Sequence, residues 1–328
     1  MKQRLVWADS LKGLLILLVV LGHAIQYTMV DEGCEKNRLW NYIYSFHMPA
    51  FMAISGYLSY RAGGGTNRLS IIYKRCIQLV IPYLLWELIY YLTKGSISLN
   101  SMVNIFLRPY FWFLWVLFFI IVTFQFGGWI SEKFKAKQEI IIIGLGLLYT
   151  AIMIFCNVRV LGFQFIAYYY MFYIFGYYIH RYPKLVITHG SILTLLVVIW
   201  GVLAWFWNMH ELPPLLASIP LPSTMMQYAY RFVTGLIAVY SLLCIAPQLL
   251  NSITILNKPF ISLGQISLGI YVVHLLLIPY ITNYISLFFE GIGNIIIISF
   301  VIASVVSWLV VWLLSKWNLT ASLLLGKS

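Results

Sequence analysis

Apolar residues run through this chain in blocks of about twenty, separated by short stretches where the charges gather. A helix needs roughly twenty apolar residues to cross a bilayer core. Ten blocks meet that length, at about 11–30, 42–60, 76–93, 110–130, 140–157, 160–180, 187–207, 225–245, 262–283 and 293–315. Alternating segments of the β-barrel kind are missing, and in lipid every backbone polar group must be satisfied within its own helix or closed barrel. The pattern therefore predicts an all-α integral membrane protein, a bundle of about ten transmembrane helices. No interval is long enough for a soluble domain, so residues 1–328 read as a single membrane-embedded domain. The longest interval, 208–223, is rich in proline and is expected to be rigid.

Composition sharpens this. The chain is 62% hydrophobic and 9% charged, where a soluble domain carries about 25% charged residues. Its net charge of +12 would suit nucleic acid, but the bases sit in short clusters between apolar blocks, which fits membrane topology and anionic headgroups and gives no nucleic-acid partner. With the N-terminus inside, fourteen Lys and Arg fall on inner segments, Lys2, Arg4, Arg61, Arg68, Lys74 and Arg75 among them, against five on outer segments. The expected topology is N-in and C-in. The opening "MKQR" and the first block resemble a signal peptide without a small-residue cleavage site, so a retained signal anchor is expected. Cys34, Cys76, Cys156 and Cys244 lie too far apart in sequence to suggest a zinc site or a disulfide framework, and no metal site is expected.

Ionisable residues inside spans are costly and mark function by default. On the first block Lys12 and His23 are eleven residues apart, about 20° from alignment on one helix face and roughly 16 Å apart along the axis. Asp9 precedes Lys12 on nearly the same face. Counted inward from the outer boundaries, His23, His47, Glu87, Arg231 and His274 fall in one layer roughly 9–13 Å deep, on five different helices. Such a layer reads as a buried polar chamber. Plainer readings stand beside it: Lys12 snorkels to headgroups, Asp9 caps the helix, His47 packs, and Glu87 pairs with Arg231. Arg61, Arg68, Lys74 and Arg75 are either inner-loop charges or a phosphate site. His23, with Gln26 and Tyr27 one turn on, fits a plain packing role least well.

These motifs resemble the membrane acyltransferase 3 family. "DSLKGLLILLVVLGHAIQ" (9–26) is similar to its first-helix signature, a basic residue and a histidine with ten residues between them, here Lys12 and His23. "YSFHMPAFMAISGYL" (44–58) resembles its second-helix pattern with Ser55, and the Phe-His-Met-Pro version with Lys-Gly resembles the branch named for fucose 4-O-acetylases. "KRCIQLVIPYLLW" (74–86), "YFWFLWVLF" (110–118, with Trp112) and "ISLGIYVVHLLL" (266–277, with Tyr271 and His274) follow in the family's order.

The resemblance implies ten core helices in the cell's inner (cytoplasmic) membrane and transfer of an acyl group, most often acetyl, from a cytoplasmic acyl-CoA to a hydroxyl of an envelope glycan. Acetyl-CoA is then a donor substrate, with no permanently bound cofactor. The expected partners are acyl-CoA, a glycan or lipid-linked sugar and membrane lipids; a homo-oligomer is compatible with this. His23 would be the general base, with Glu87 orienting it. Lys12, Arg68, Lys74 and Arg75 would hold donor phosphates. His47, Arg231, Tyr27 and His274 would bind the acceptor or stabilise the oxyanion, and Asp9, Ser55, Trp112 and Tyr271 would support them. The absence of an internal repeat argues against the alternative, a transporter or flippase of an envelope lipid or sugar.

Overall fold

The computed structural model describes residues 5–60, 67–95, 99–252 and 258–327. Lys2, Arg4 and Arg61, counted above among inner charges, lie outside them. Among the described residues the chain is helical, without a strand. The helices are α1 (Val6–Thr28), α2 (Arg38–Ser59), α3 (Arg68–Arg75), α4 (Ile81–Thr93), α5 (Leu99–Leu107), α6 (Trp112–Phe134), α7 (Gln138–Cys156) and α8 (Phe163–Arg181). They continue with α9 (Gly190–Trp205), α10 (Pro214–Ala217), α11 (Ser223–Ser252), α12 (Lys258–Gln265), α13 (Ser267–Ile285), α14 (Ile292–Leu314) and α15 (Asn318–Leu325).

Among the described residues seven helical runs are long and apolar enough to cross a membrane: α1, the run Arg68–Thr93, α6, α7, α11, α13 and α14. The blocks at 42–60, 160–180 and 187–207 fall on α2, α8 and α9. Polar groups lower the hydropathy of the first two, with six tyrosines on α8, and α9 has only 16 residues.

Two of the departures from the expected boundaries have a visible local cause. The third block begins earlier than expected, because Asn67 accepts the Leu69 amide through its side chain (3.0 Å) and so caps α3. Arg68, Lys74 and Arg75 therefore stand on a helix and not in a loop. A π turn, Cys76–Val80, joins α3 to α4, with the Ile81 amide bonded to the Cys76 carbonyl. Pro82 has no N–H to give the Gln78 carbonyl, and a widened turn resets the register there. The ninth block divides into α12 and α13 at Ile266, whose φ of −112° leaves the helical region.

The chain forms two compact units, residues 1–51 with 183–313 and residues 52–182 with 314–328. In the first, α1 packs on α11, α12 and α13, and α9 on α11. The contact with α12 is backbone to backbone: a Cβ on Gly13 would strike the Phe260 carbonyl, and one on Gly264 the Asp9 carbonyl. The start of α2 is tied to α9 by polar bonds. Arg38 donates to the Trp205 carbonyl (2.7 Å), Tyr42 Oη to the Gly201 carbonyl (3.0 Å), and Trp200 Nε1 to Ser45 Oγ (3.2 Å).

In the second unit α6, α7 and α8 pack on one another. The end of α2 meets α8 through Gly56, where a Cβ would strike the Tyr173 carbonyl, and Gly176, where it would strike the Ala53 carbonyl. Small residues let helix backbones approach in this way, which gives the Ser-Gly of the second-helix motif a packing reason. Trp86 Nε1 donates to the Leu324 carbonyl (2.8 Å), fixing α15 on α4, and the Tyr83 hydroxyl donates to the Ile105 carbonyl of α5.

Candidate active site

The groups with chemistry in the first unit are arranged along α1. Its helical residues begin at Val6 with Leu5 at the cap position, so Asp9 stands inside the helix. It is 4% exposed and pairs with Lys12 at 2.7 Å, one turn on. A buried carboxylate needs such a partner, and the Lys12 ammonium keeps partial access to the surface. Lys12 is thus neighboured by Gly13 and its backbone contact with Phe260.

Toward the other end of α1, His23 is half-buried. Its Nδ1 lies 3.0 Å from the Val19 carbonyl oxygen and 3.1 Å from Nε2 of His274 on α13. His274 is fully buried, and its Nδ1 lies 2.7 Å from the Ile270 carbonyl. The Tyr271 ring meets His274 edge-on at 6.1 Å. Among the described residues His23 Nε2 makes no hydrogen bond.

Tyr44, on the second-helix motif but given no role from sequence, links α2 to this pair. Its hydroxyl donates to Gln26 Oε1 at 2.8 Å. Its ring stacks on Trp40 at 3.9 Å and meets His47 at 4.7 Å and His23 at 6.4 Å, both edge-on. The signal for it was local, since Tyr44 is one helical turn before His47 and shares its face. His47 is buried with Nδ1 2.7 Å from the Ile43 carbonyl. Tyr27 is half-buried one turn beyond His23. Arg231 on α11 donates to the Met209 carbonyl at 3.5 Å and lies 5.5 Å from the Trp207 ring, which in turn faces Trp40 at 6.3 Å. Of the layer expected from sequence, His23, His47 and His274 are thus linked through one another and Tyr44, and Arg231 belongs to the same unit.

Glu87 belongs to the second unit. It is fully buried on α4, and Oε1 accepts the backbone amides of Tyr110 (2.6 Å) and Phe111 (2.9 Å) just ahead of α6. A carboxylate at that place accepts from amides at a helix start and faces the positive end of the helix. Its Oε2 is buried without a hydrogen bond among the described residues. Trp112, the first residue of α6, stacks against Phe165 at 4.5 Å and Tyr169 at 5.4 Å. Ser55 is half-buried on α2. Arg68 binds both Glu132 oxygens, at 2.5 and 3.3 Å, and the Gln125 side chain at 3.3 Å. Arg75 donates to Gln78 Oε1 at 3.0 Å, while Lys74 is exposed. Among the described residues no three His, Cys, Asp or Glu side chains group as metal ligands would.

A family model described as an acyltransferase domain matches residues 5–316. Over 124 residues the chain is 36% identical to nodulation protein NolL of Mesorhizobium japonicum, covering 34% of this chain and 32% of the relative. Over 80 residues it is 42% identical to nodulation protein NolL of Sinorhizobium fredii, covering 24% of this chain and 22% of the relative. The chain thus spans a third or less of the length of these curated relatives. No solved structure matches.

Proposed function

Because the chain belongs to the acyltransferase 3 family and is a multi-pass membrane protein, we propose that it is an integral-membrane O-acyltransferase. It moves an acyl group, acetyl foremost, from a cytoplasmic acyl-CoA to a hydroxyl of a cell-envelope or exported glycan. The reading places the chain in the inner membrane as ten spans with both termini inside, acting as one catalytic domain.

The observation that carries this reading is the make-up of α1. One helix presents a lysine paired with a buried aspartate at 2.7 Å and, eleven residues on, an imidazole whose Nε2 is left without a hydrogen bond among the described residues. A CoA has a polyanionic end and a long, narrow pantetheine arm, and the roughly 16 Å axial rise between these two groups suits that shape. In the reaction His23 Nε2 takes the acceptor hydroxyl proton as the oxygen attacks the thioester carbonyl. The C–S bond breaks, the ester forms, and the departing CoA sulfur receives the proton. Lys12, with Arg68, Lys74 and Arg75, holds the donor phosphates. His47, Arg231 and Tyr27 bind acceptor hydroxyls or the developing oxyanion. Glu87, which holds the turn before α6 in the second unit, keeps the assignment as the residue that orients the base. Direct transfer is preferred to an acyl-enzyme, because among the described residues no Cys or Ser stands beside a base in the manner of an activated nucleophile.

The test incubates purified protein with radiolabelled acetyl-CoA and a panel of free and lipid-linked glycans, comparing wild type with His23→Ala. Label transferred by the wild type and lost in the variant is expected. Equal transfer by both would remove His23 from the chemistry, and movement of an acceptor without acylation would replace the enzyme with a transporter.

A further inference from the structure

Resting on the reading of His23 as the base, we infer that His274 is its positioning residue: it fixes the tautomer that leaves His23 Nε2 bare and shares the charge that forms during transfer. A carbonyl oxygen only accepts hydrogen bonds. The Ile270 carbonyl, 2.7 Å from His274 Nδ1, therefore places the proton on that nitrogen. A neutral imidazole carries one N–H, so His274 Nε2 is a lone pair, and it points at His23 Nδ1 from 3.1 Å. The Val19 carbonyl, 3.0 Å from the same His23 Nδ1, is also only an acceptor. Two acceptors on different helices thus require one N–H between them, on His23 Nδ1, in a shared three-centre bond. What remains on His23 is an unprotonated Nε2.

The same pattern closes the other end. Both ring nitrogens of His274 are engaged, which leaves it no N–H for an oxyanion, the role its residue type first suggests. When His23 Nε2 takes the hydroxyl proton, the ring becomes a cation. Its Nδ1–H bond to a neutral imidazole then becomes charge-assisted and shorter. The proton cannot run onward, because the chain of bonds ends on the Ile270 carbonyl. It must leave by the nitrogen it entered, so Nε2 is first base and then acid to the CoA sulfur. This is the logic of a catalytic triad with the carboxylate replaced by a neutral acceptor.

The experiment uses the purified protein and measures CoA thiol release from acetyl-CoA with a methyl-glycoside panel as acceptor. In His274→Leu, kcat is expected to fall by about 10²–10⁴-fold, the contribution of a positioned general base, with the loss of about 10⁴ on misplacing a tautomer at its upper end and the acetyl-CoA KM within about threefold. His274→Gln, whose amide oxygen reaches toward the Nε2 position, is expected to recover at least about tenfold over Leu, and the shorter His274→Asn is not. The inference is overturned if Leu stays within about threefold of wild-type kcat, if the loss lies in KM, or if Gln recovers nothing. Where Leu does not give a folded protein by thermal unfolding, Gln against Asn at matched stability decides in the same way. A wild type that releases no thiol above the His23→Ala background refutes the acyltransferase reading, and the inference falls with it. An active wild type with an inert His23→Ala and an unaffected His274→Leu refutes the inference alone.

Discussion

Glu87 offers the sharpest separation of architecture from chemistry. Substitution by alanine removes the acceptor of two backbone amides, Tyr110 N at 2.6 Å and Phe111 N at 2.9 Å, and Phe111 is fully buried. Hydrogen bonds to a charged group contribute about 1.5–3 kcal/mol each, and a buried donor left without a partner costs about 1–3 kcal/mol. With the Tyr110 amide only partly buried, the sum is about 3–5 kcal/mol. At roughly 2 °C per kcal/mol for a large chain, the unfolding midpoint of Glu87→Ala in detergent should fall by about 6–10 °C. Glu87→Gln keeps an acceptor oxygen and loses only the charge, so its midpoint should fall by about 2 °C. Tryptophan fluorescence during heating measures both, and thiol release at 25 °C measures kcat on the same samples. If the carboxylate also serves the reaction, Gln loses kcat far beyond what a midpoint shift of about 2 °C explains. An alanine variant that unfolds within a degree or two of wild type would refute the capping argument.

The other predictions concern α1. Gly264→Val places a branched side chain against the Asp9 carbonyl, and overpacking of this kind costs about 1–3 kcal/mol. Its midpoint and its kcat should both fall, whereas Gly144→Ala, where a Cβ meets open space, should change neither; an unaltered Gly264→Val would mean that the two helices yield freely. Lys12→Ala, made with Asp9→Asn so that no buried carboxylate is orphaned, should weaken acyl-CoA binding about tenfold, or about 1.4 kcal/mol. Titration calorimetry with acetyl-CoA checks this, and an unchanged Kd removes Lys12 from the donor site.

What was legible from sequence was whatever depends on one helix at a time. The stripe of Asp9, Lys12 and His23 follows from a period of 3.6 residues, and the structure keeps all three on α1. The pairing of His23 with His274 joins residues 251 positions apart, and no local pattern carries that information; depth counting brought both to one layer without saying which nitrogen faces which. The same counting put Glu87 in that layer, and its Oε1 accepts backbone amides ahead of α6, a need that arises only once the turn at 110–111 exists. Asp9 reads equally well as a cap or a partner until Leu5 is seen at the cap position. Tyrosine-rich α8 shows the reverse difficulty, because hydropathy undervalues rings that are buried by packing on one another. The π turn at 76–80 was signalled by Pro82, but a proline also permits a kink or a plain helix start, and the choice is made by packing.

The glycines of α1 give its two ends different mechanical characters. At Gly13 the neighbour is the Phe260 backbone, while at Gly22 a Cβ would meet the edge of the Tyr44 ring, a side chain that can turn. The helix is therefore a lever, clamped beside Lys12 and free to be adjusted beside His23. On the proposed reaction, changes of acceptor preference among related enzymes should accumulate in the rings around the adjustable end, Trp40, Tyr44 and Trp207, while Gly13 and Gly264 at the clamp should stay glycine, so that specificity can drift without disturbing the end assigned to the donor.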